Sequence, residues 1–209
     1  MLFCCFKTGE KFGAEYPQRL MAGVMRNLPK PHAHSFVCFT DKAVPYVPCA
    51  PLPADLPTWW SKAGAYKLGQ PLITLDLDII ITGDLTPLLE WDGYGVIADW
   101  WLPGYNSSVQ KLTGEETHVW DNFAKNPEAV MRRCSWGDQQ WVTEQMPNAR
   151  TFPPHFFPSY KASRLYEKPA PPEDALAVIL HGEPKPHQIT EGWVPELWRK
   201  GDDNPPAIE

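Results

Sequence analysis

The sequence predicts an α/β fold: a single compact domain with a mixed, mainly parallel sheet flanked by helices. Three observations point there. Short continuous apolar runs at residues 2–7, 35–39 and 72–81 lack the in-out alternation of a half-exposed sheet. Such runs read as strands buried on both faces. Between the first two runs, apolar residues recur at Tyr16, Leu20, Val24 and Leu28, a helical spacing. Strand, helix and strand in this length make a βαβ unit with parallel strands. The third observation is length, because 209 residues can bury one good core.

Composition excludes some functions. The net charge of -6 implies no general attraction to nucleic acid or to an anionic membrane. Five cysteines, an odd number without paired metal-site spacing, read as reduced thiols of a cytoplasmic protein. The opening Met1-Leu2-Phe3-Cys4-Cys5-Phe6 has no basic start and is too short for a secretion signal. No apolar stretch is long enough for a membrane span. The 24 prolines predict long ordered loops, and the 10 tryptophans predict a ligand-lined or heavily clamped surface.

In chain order, residues 2–7 form the first strand and Thr8-Gly9-Glu10-Lys11-Phe12-Gly13 a turn. A helix over 16–27 is stopped by Pro29 and Pro31. Residues 35–39 form the second strand and end at Thr40-Asp41. A proline-rich loop over 45–57 holds a short strand near 50–52, and a helix runs from Thr58 to about Lys67. Residues 72–81 then read as one strand, and 94–98 as another. After the aromatic loop Trp100-Trp101-Leu102-Pro103-Gly104-Tyr105, a strand begins near Asn106-Ser107-Ser108. Helices are expected at 117–125 and 128–133, split by Asn126-Pro127, and from 138 with Asp138 as N-cap. Late strands fall at 149–152 and 177–180. Residues 1–200 make the domain, and the polar, proline-containing stretch 201–209 is a flexible tail.

Ligands of such sheets sit beyond the carboxyl ends of the strands. That edge collects Lys7, Thr8, Thr40, Asp41, Asp76 and Asp78. Asp76 and Asp78 interrupt Leu72-Ile73-Thr74-Leu75-Asp76-Leu77-Asp78-Ile79-Ile80-Ile81. Buried carboxylates are costly unless paired or holding a metal. Two residues apart in a turn, their oxygens can converge on one hard cation such as Mg2+ or Mn2+. The plain alternative is two aspartates ending an edge strand. Thr40-Asp41 reads first as a turn and Lys62 as a solvated helix charge. His181 and Lys185 bracket a Gly-Pro turn, which suits a metal ligand and a phosphate contact.

Taken in order, Leu75-Asp76-Leu77-Asp78, Asn106-Ser107-Ser108, Gly137-Asp138-Gln139 and His181-Gly182-Glu183-Pro184-Lys185-Pro186 resemble the motifs of nucleotide-sugar glycosyltransferases of the GT-A fold. The likeness is to the family-8 enzymes, the glycogenin and bacterial galactosyltransferase type. It covers the chain from the first strand to about Trp198 and implies a GT-A-like Rossmann-type sheet. It implies a metal-dependent hexosyltransferase that moves sugar from a nucleoside-diphosphate sugar, UDP-linked, to an acceptor hydroxyl with retention. Asp76, Asp78 and His181 are then ligands of Mn2+ or Mg2+. Lys62 and Lys185 touch phosphate, and Lys7, Thr8, Tyr16 and Thr40 hold the nucleotide. Asn106, Ser107, Asp138 and Gln139 line the donor sugar, the last two as catalytic residues.

The pattern departs in two places. Ser108 stands where a glycine is usual and narrows the sugar pocket, and His187 replaces a tryptophan. The chain is also short, so acceptor-binding insertions and a membrane-docking tail are expected to be absent. The acceptor stays open among a glycan, a protein side chain, a lipid-linked sugar and a modified DNA base. Arg132, Arg133, Lys161, Arg164 and Lys168 make a basic patch or scattered surface charge. Two other functions compete. A sugar nucleotidyltransferase would want a Gly-rich basic phosphate loop, which Thr8-Gly9-Glu10-Lys11-Phe12-Gly13 imitates poorly. A non-catalytic nucleotide-sugar-binding module would tolerate loss of the charged motifs, which are all present.

Overall fold

A computed structural model describes residues 1–200, and the predicted tail lies outside the described residues. Its centre is β1 (Leu2–Lys7), which pairs in parallel with β2 (Ser35–Thr40) on one side and β4 (Leu72–Leu75) on the other. The full sheet runs β3-β2-β1-β4-β7-β6, with β3 at Cys49–Ala50, β6 at Gly95–Ala98 and β7 at Tyr105–Leu112. β3 joins parallel to β2, while β7 is antiparallel to both β4 and β6. Helices cover both faces, which is why the strands read as continuous apolar runs. Phe3 and Cys5 enter one core, and Cys4 between them enters the other.

The first core seats α1 (Glu15–Arg26) through Tyr16, Leu20, Met21 and Val24. Each such buried side chain contributes about 1.5–3 kcal/mol of transfer free energy. Gly23 allows close approach: a Cβ there would stand 3.3 Å from Ile81. The second core seats α2 (Gly64–Lys67), α4 (Thr117–Ala124), α5 (Pro127–Arg133) and α6 (Asp138–Gln145) through Tyr66, Phe123, Val130 and Trp141. The remaining helices are α3 (Thr86–Glu90) and α7 (Trp193–Trp198). The buried ammonium of Lys111 caps α3, donating to the carbonyls of Leu88 (3.2 Å), Leu89 (2.6 Å) and Trp91.

Four sequence expectations need correction. Residues 72–81 are two strands, not one. The chain leaves the main sheet after β4, turns through Asp76-Leu77-Asp78, and resumes as β5 (Ile79–Ile81). β5 pairs antiparallel with β8 (Ala177–Ile179) in a separate two-stranded sheet. Two carboxylates in a ladder buried on both faces would lack water, so the break comes where they do. The predicted helix from Thr58 is a 3-10 turn over Thr58–Ala63 before it becomes α2. Asp138 does not cap α6: Gly137 is the N-cap, and Asp138 lies inside the first turn. Residues 149–152 give a single bridge, Thr151 to Val96, rather than a strand.

Candidate active site

A cavity of about 420 Å³ opens beyond the carboxyl ends of β1 and β4. The Asp76-Leu77-Asp78 turn forms its floor. Asp76 is held by its own N–H, which donates to the Ser108 carbonyl at 2.8 Å and so extends the β4–β7 ladder by one bond. Thr8, Lys62, Asn106, Ser108, Asp138, Gln139, His181 and Gly182 also face this space. Six segments far apart in sequence therefore meet at one sheet edge, as the rule for open α/β sheets predicts.

Lys62 organises one side. Its ammonium, buried on the 3-10 turn, donates to Asp76 Oδ1 at 2.6 Å and to the Ser107 carbonyl at 2.9 Å, and lies 3.4 Å from Asp138 Oδ2. Burial alone would lower its pKa, but Asp138 and Asp76 together outweigh burial and keep it protonated. Asp138 is buried at the cavity wall. Burial raises its pKa, with Lys62 and a hydrogen bond to Ser107 offsetting part of the rise. Lys62 is thus a buried, ion-paired group and not the solvated charge its residue type suggests.

Lys185 organises the other side, reaching Asp78 from the 3-10 turn Pro186–Gln188 that it precedes. Burial raises the Asp78 pKa, the Asp76 carboxylate adds to the rise, and Lys185 offsets part of it. His181 is stacked on Trp100 with centroids 5.1 Å apart and meets Trp101 edge-on at 4.6 Å. Its Nε2 is 2.7 Å from Ser159 Oγ. Burial, aided by the Lys161 charge, pushes its pKa down to about 4, so the imidazole is neutral at pH 7.

Three expected nucleotide contacts do not line the cavity. The Lys7 ammonium is buried and donates to the Gly9 carbonyl at 3.1 Å. Tyr16 is in the core, its hydroxyl bonded to His187 Nδ1, the residue at the tryptophan position. Thr40 Oγ1 closes a turn onto the Lys42 carbonyl at 2.9 Å. Each polar atom already has a partner within the protein, near in sequence for Lys7 and Thr40 and far for Tyr16. Ser107 acts through Lys62 and Asp138, and Lys185 through Asp78. Of the five basic residues singled out, Arg132, Arg133 and Arg164 pair with Glu128, Glu144 and Glu167, and Lys161 lies over the Trp101 ring.

The cavity also has aromatic walls that no motif marked, Phe6, Phe12, Trp59 and Trp136, together with Lys11, Thr58, Ser61 and Ser135. The Trp59-Trp60 pair before Lys62 and the Trp136-Gly137 turn were the available signals. Thr58 adopts φ 52, an outlier for a β-branched residue, and its carbonyl accepts from Thr8 and Ser61. Gly137, at φ 85, is required twice: a Cβ would also stand 2.7 Å from Trp59 Nε1.

No family model matches the sequence, and no curated protein matches it in sequence. Solved structures do match in shape. The galactosyltransferase LgtC, crystallised with donor and acceptor sugar analogues, superposes over 100% of this chain and 98% of its own, with TM-score 0.73 and 14% identity. The glycosyltransferase GlyE of Streptococcus pneumoniae TIGR4 matches 96% of this chain with TM-score 0.70 and 15% identity. This chain spans 60% of the GlyE structure. The bifunctional glycosyltransferase WbbM matches 88% of this chain and 46% of its own, with TM-score 0.62 and 11% identity. The fold is therefore the GT-A fold of glycosyltransferases, as the motif order implies. Among the described residues, no helix is long and apolar enough to cross a membrane.

Proposed function

We propose that this chain is a metal-dependent glycosyltransferase. It moves a sugar from a nucleoside-diphosphate sugar, UDP-linked, to an acceptor hydroxyl, with retention. The observation that supports this most is the meeting of Asp76, Asp78, Lys62, Asp138 and His181 around one cavity in a chain with the GT-A fold.

The donor set suits a hard divalent ion chemically, because it offers two carboxylates and a neutral imidazole. As the side chains stand, each carboxylate is paired with a lysine, and His181 is bonded to Ser159. Among the described residues, no three such groups are close enough to hold an ion. Asp76, Asp78 and His181 would hold Mn2+ or Mg2+ once Lys185 turns from Asp78 toward a phosphate. When bound, the ion supplies Lewis acidity to the leaving diphosphate.

The protein's own groups do the rest. Lys62 and Lys185 place fixed positive charge beside the diphosphate. Phe12 and Trp59 offer flat surfaces for the nucleoside. Asp138 and Gln139 orient the donor sugar, and the Asp138 carboxylate offsets positive charge developing at the anomeric carbon. The bond from that carbon to the phosphate oxygen breaks as the acceptor oxygen bonds on the same face. The acceptor proton passes to the departing phosphate, so no strong protein base is needed.

One observation counts against a nucleotidyltransferase. The Gly9 amide, in the loop that would cradle phosphates, donates to Asp41 Oδ2 at 3.1 Å. A carboxylate there repels the anion the loop would have to bind. The deciding experiment incubates the protein with UDP-, GDP- and ADP-sugars and Mn2+. Release of nucleoside diphosphate, lost in Asp78→Asn, is the expected result. Pyrophosphate turnover, or no reaction with any donor, overturns the reading.

A further inference from the structure

A set of polar side chains is sealed beside the second core, behind the cavity wall and not on it. Gln110 of β7 and Thr74 of β4 are both 0% exposed, and Tyr66 of α2 is buried. The sheet is covered on both faces here, so each polar atom is costly unless bonded. Gln110 Oε1 accepts from the Tyr66 hydroxyl and, at 2.9 Å, from the Tyr94 hydroxyl. Gln110 Nε2 donates to Thr74 Oγ1 and to the Ser107 carbonyl, each at 3.4 Å. The same Ser107 carbonyl accepts from Lys62 at 2.9 Å.

We propose that Gln110, locked by Tyr66 and Tyr94, is a positioning residue for Lys62 and, through it, for Asp138. Its consequence for catalysis rests on the transferase reading; the positioning itself rests on the contacts alone. Gln110 does not line the cavity, so it acts only through other residues.

Three features of the structure carry this role. The first is the backbone. Val96 pairs with Gln110 but Ile97 with Asn106, which leaves residues 107–109 without a partner in β6. Irregularities of this kind re-aim groups beside active sites. The Ser107 carbonyl within it is bonded by two side chains, Lys62 from the cavity wall and Gln110 from the interior. The second is the direction of the amide. Burial raises the pKa of both phenols, with Asp138 and Glu116 adding to the rise, so both stay protonated and donate. Two O–H donors on one oxygen turn the NH2 end toward Ser107. Reversed, the amide would set its oxygen against the carbonyl oxygen. The third is spacing. Lys62 and Tyr66 are four residues apart, on the 3-10 turn and on the α2 helix that continues it. One short segment therefore carries both the cation on Ser107 and the phenol on Gln110. The bonds from Tyr66 to Gln110 to Ser107 to Lys62 close a ring, and Lys62 passes the constraint to Asp76 and Asp138.

The test reads Lys62 directly, by the 13Cε signal of the whole chain labelled at lysine, with Lys62→Met as the assignment. Gln110→Met keeps the bulk and removes the amide. It should displace the Lys62 signal and lower kcat for nucleoside diphosphate release at least about tenfold, because small misplacements cost up to about 10²-fold. The donor KM should stay within about twofold, since the Lys62 charge remains. Gln110→Glu keeps the shape and the acceptor for both phenols, and so covers a Met variant that does not fold. Its protonated carboxyl still donates to Ser107; its ionised form does not. The titratable groups facing it are the two phenols, with Lys62, Asp138 and Glu116 beyond them. Raising the pH to about 9, where even a buried carboxyl ionises, should therefore displace its Lys62 signal toward that of Gln110→Met. Thr74→Val removes the other bond of the amide and should lower stability without moving the Lys62 signal. An unmoved Lys62 signal or an unchanged kcat in Gln110→Met overturns the proposal. So does an unmoved signal in Gln110→Glu at about pH 9, or an equal displacement in Thr74→Val. If the wild type releases no nucleoside diphosphate from any donor, the transferase reading falls, and the Lys62 signal alone decides the positioning role.

Discussion

Lys62 and Lys185 are both buried, and each holds one aspartate of the Asp76-Leu77-Asp78 turn, yet their surroundings differ. Lys62 has two carboxylates and the Ser107 carbonyl around it, and it stands on a turn fixed between β1 and α6. Lys185 has Asp78 as its only carboxylate partner among the described residues, beside the Phe12 ring at 5.7 Å, and belongs to a short turn late in the chain. A cation with three acceptors ties elements together and cannot leave without stranding buried charge. A cation with one carboxylate partner, whose protonation burial already favours, can exchange it for a phosphate. Under the proposed function, loss of the first lysine should therefore disturb the site itself, and loss of the second should disturb mainly donor binding.

The largest effect should come from the group that Lys62 holds. Asp138→Ser and Asp138→Asn should each lower turnover by about 10²–10⁴-fold. Their melting temperatures should fall less than that of Lys62→Met, because Lys62 keeps Asp76 and Ser107. Since Gly137 is the N-cap, an Asp138→Ser protein with near wild-type turnover would leave Asp138 without a chemical role.

Next comes the contrast between the lysines themselves. Lys62→Met strands the Asp138 carboxylate and should cost about 3–5 kcal/mol of stability, read by denaturant unfolding. Lys185→Met should cost about 1–2 kcal/mol, since only one carboxylate loses its partner where Lys62→Met deprives two carboxylates and a carbonyl, and should raise the donor KM. Equal stability losses would erase the distinction. Equal donor effects with no stability difference would reverse it.

The smallest effect concerns pH on the Lys185 side. Tyr16 bonds His187, in the turn that Lys185 opens, and burial pushes its pKa up to about 12. In the unfolded chain a tyrosine ionises near 10. Between those values the folded state holds the extra proton, so stability should fall as pH rises from 10 to 12. Unfolding midpoints should show that slope, and Tyr16→Phe should flatten part of it. Tyr66, Tyr94 and Tyr160 and the thiols of Cys4, Cys5 and Cys134, all raised by burial, add to the slope. An unchanged slope in Tyr16→Phe would separate this turn from alkaline unfolding.

Some of this was legible and some was not, for physical reasons. Continuous apolar runs identify strands buried on two faces, so β1, α1 and β2 could be placed from periodicity alone. Asp76 and Asp78 were legible as candidates because carboxylates inside an apolar run demand an explanation. The same logic should have broken the run into β4 and β5, but strand pairing is a long-range fact: β5 finds β8 about a hundred residues later. Lys7 and Thr40 were placed near the site by strand order and Tyr16 by the family resemblance, yet Gly9, Lys42 and the distant His187 already occupy their polar atoms.

By itself, the sequence determined the fold class, the central βαβ unit and the order of the charged motifs. These follow from local periodicity and residue chemistry, which a linear chain displays directly. Only the tertiary structure decided that Lys62 faces Asp76 and Asp138 while Lys185 faces Asp78. It alone showed that two exposed indoles, Trp59 and Trp136, line the cavity. Those outcomes depend on which distant segments the sheet edge brings together, and on which partner balances each buried charge once water is gone.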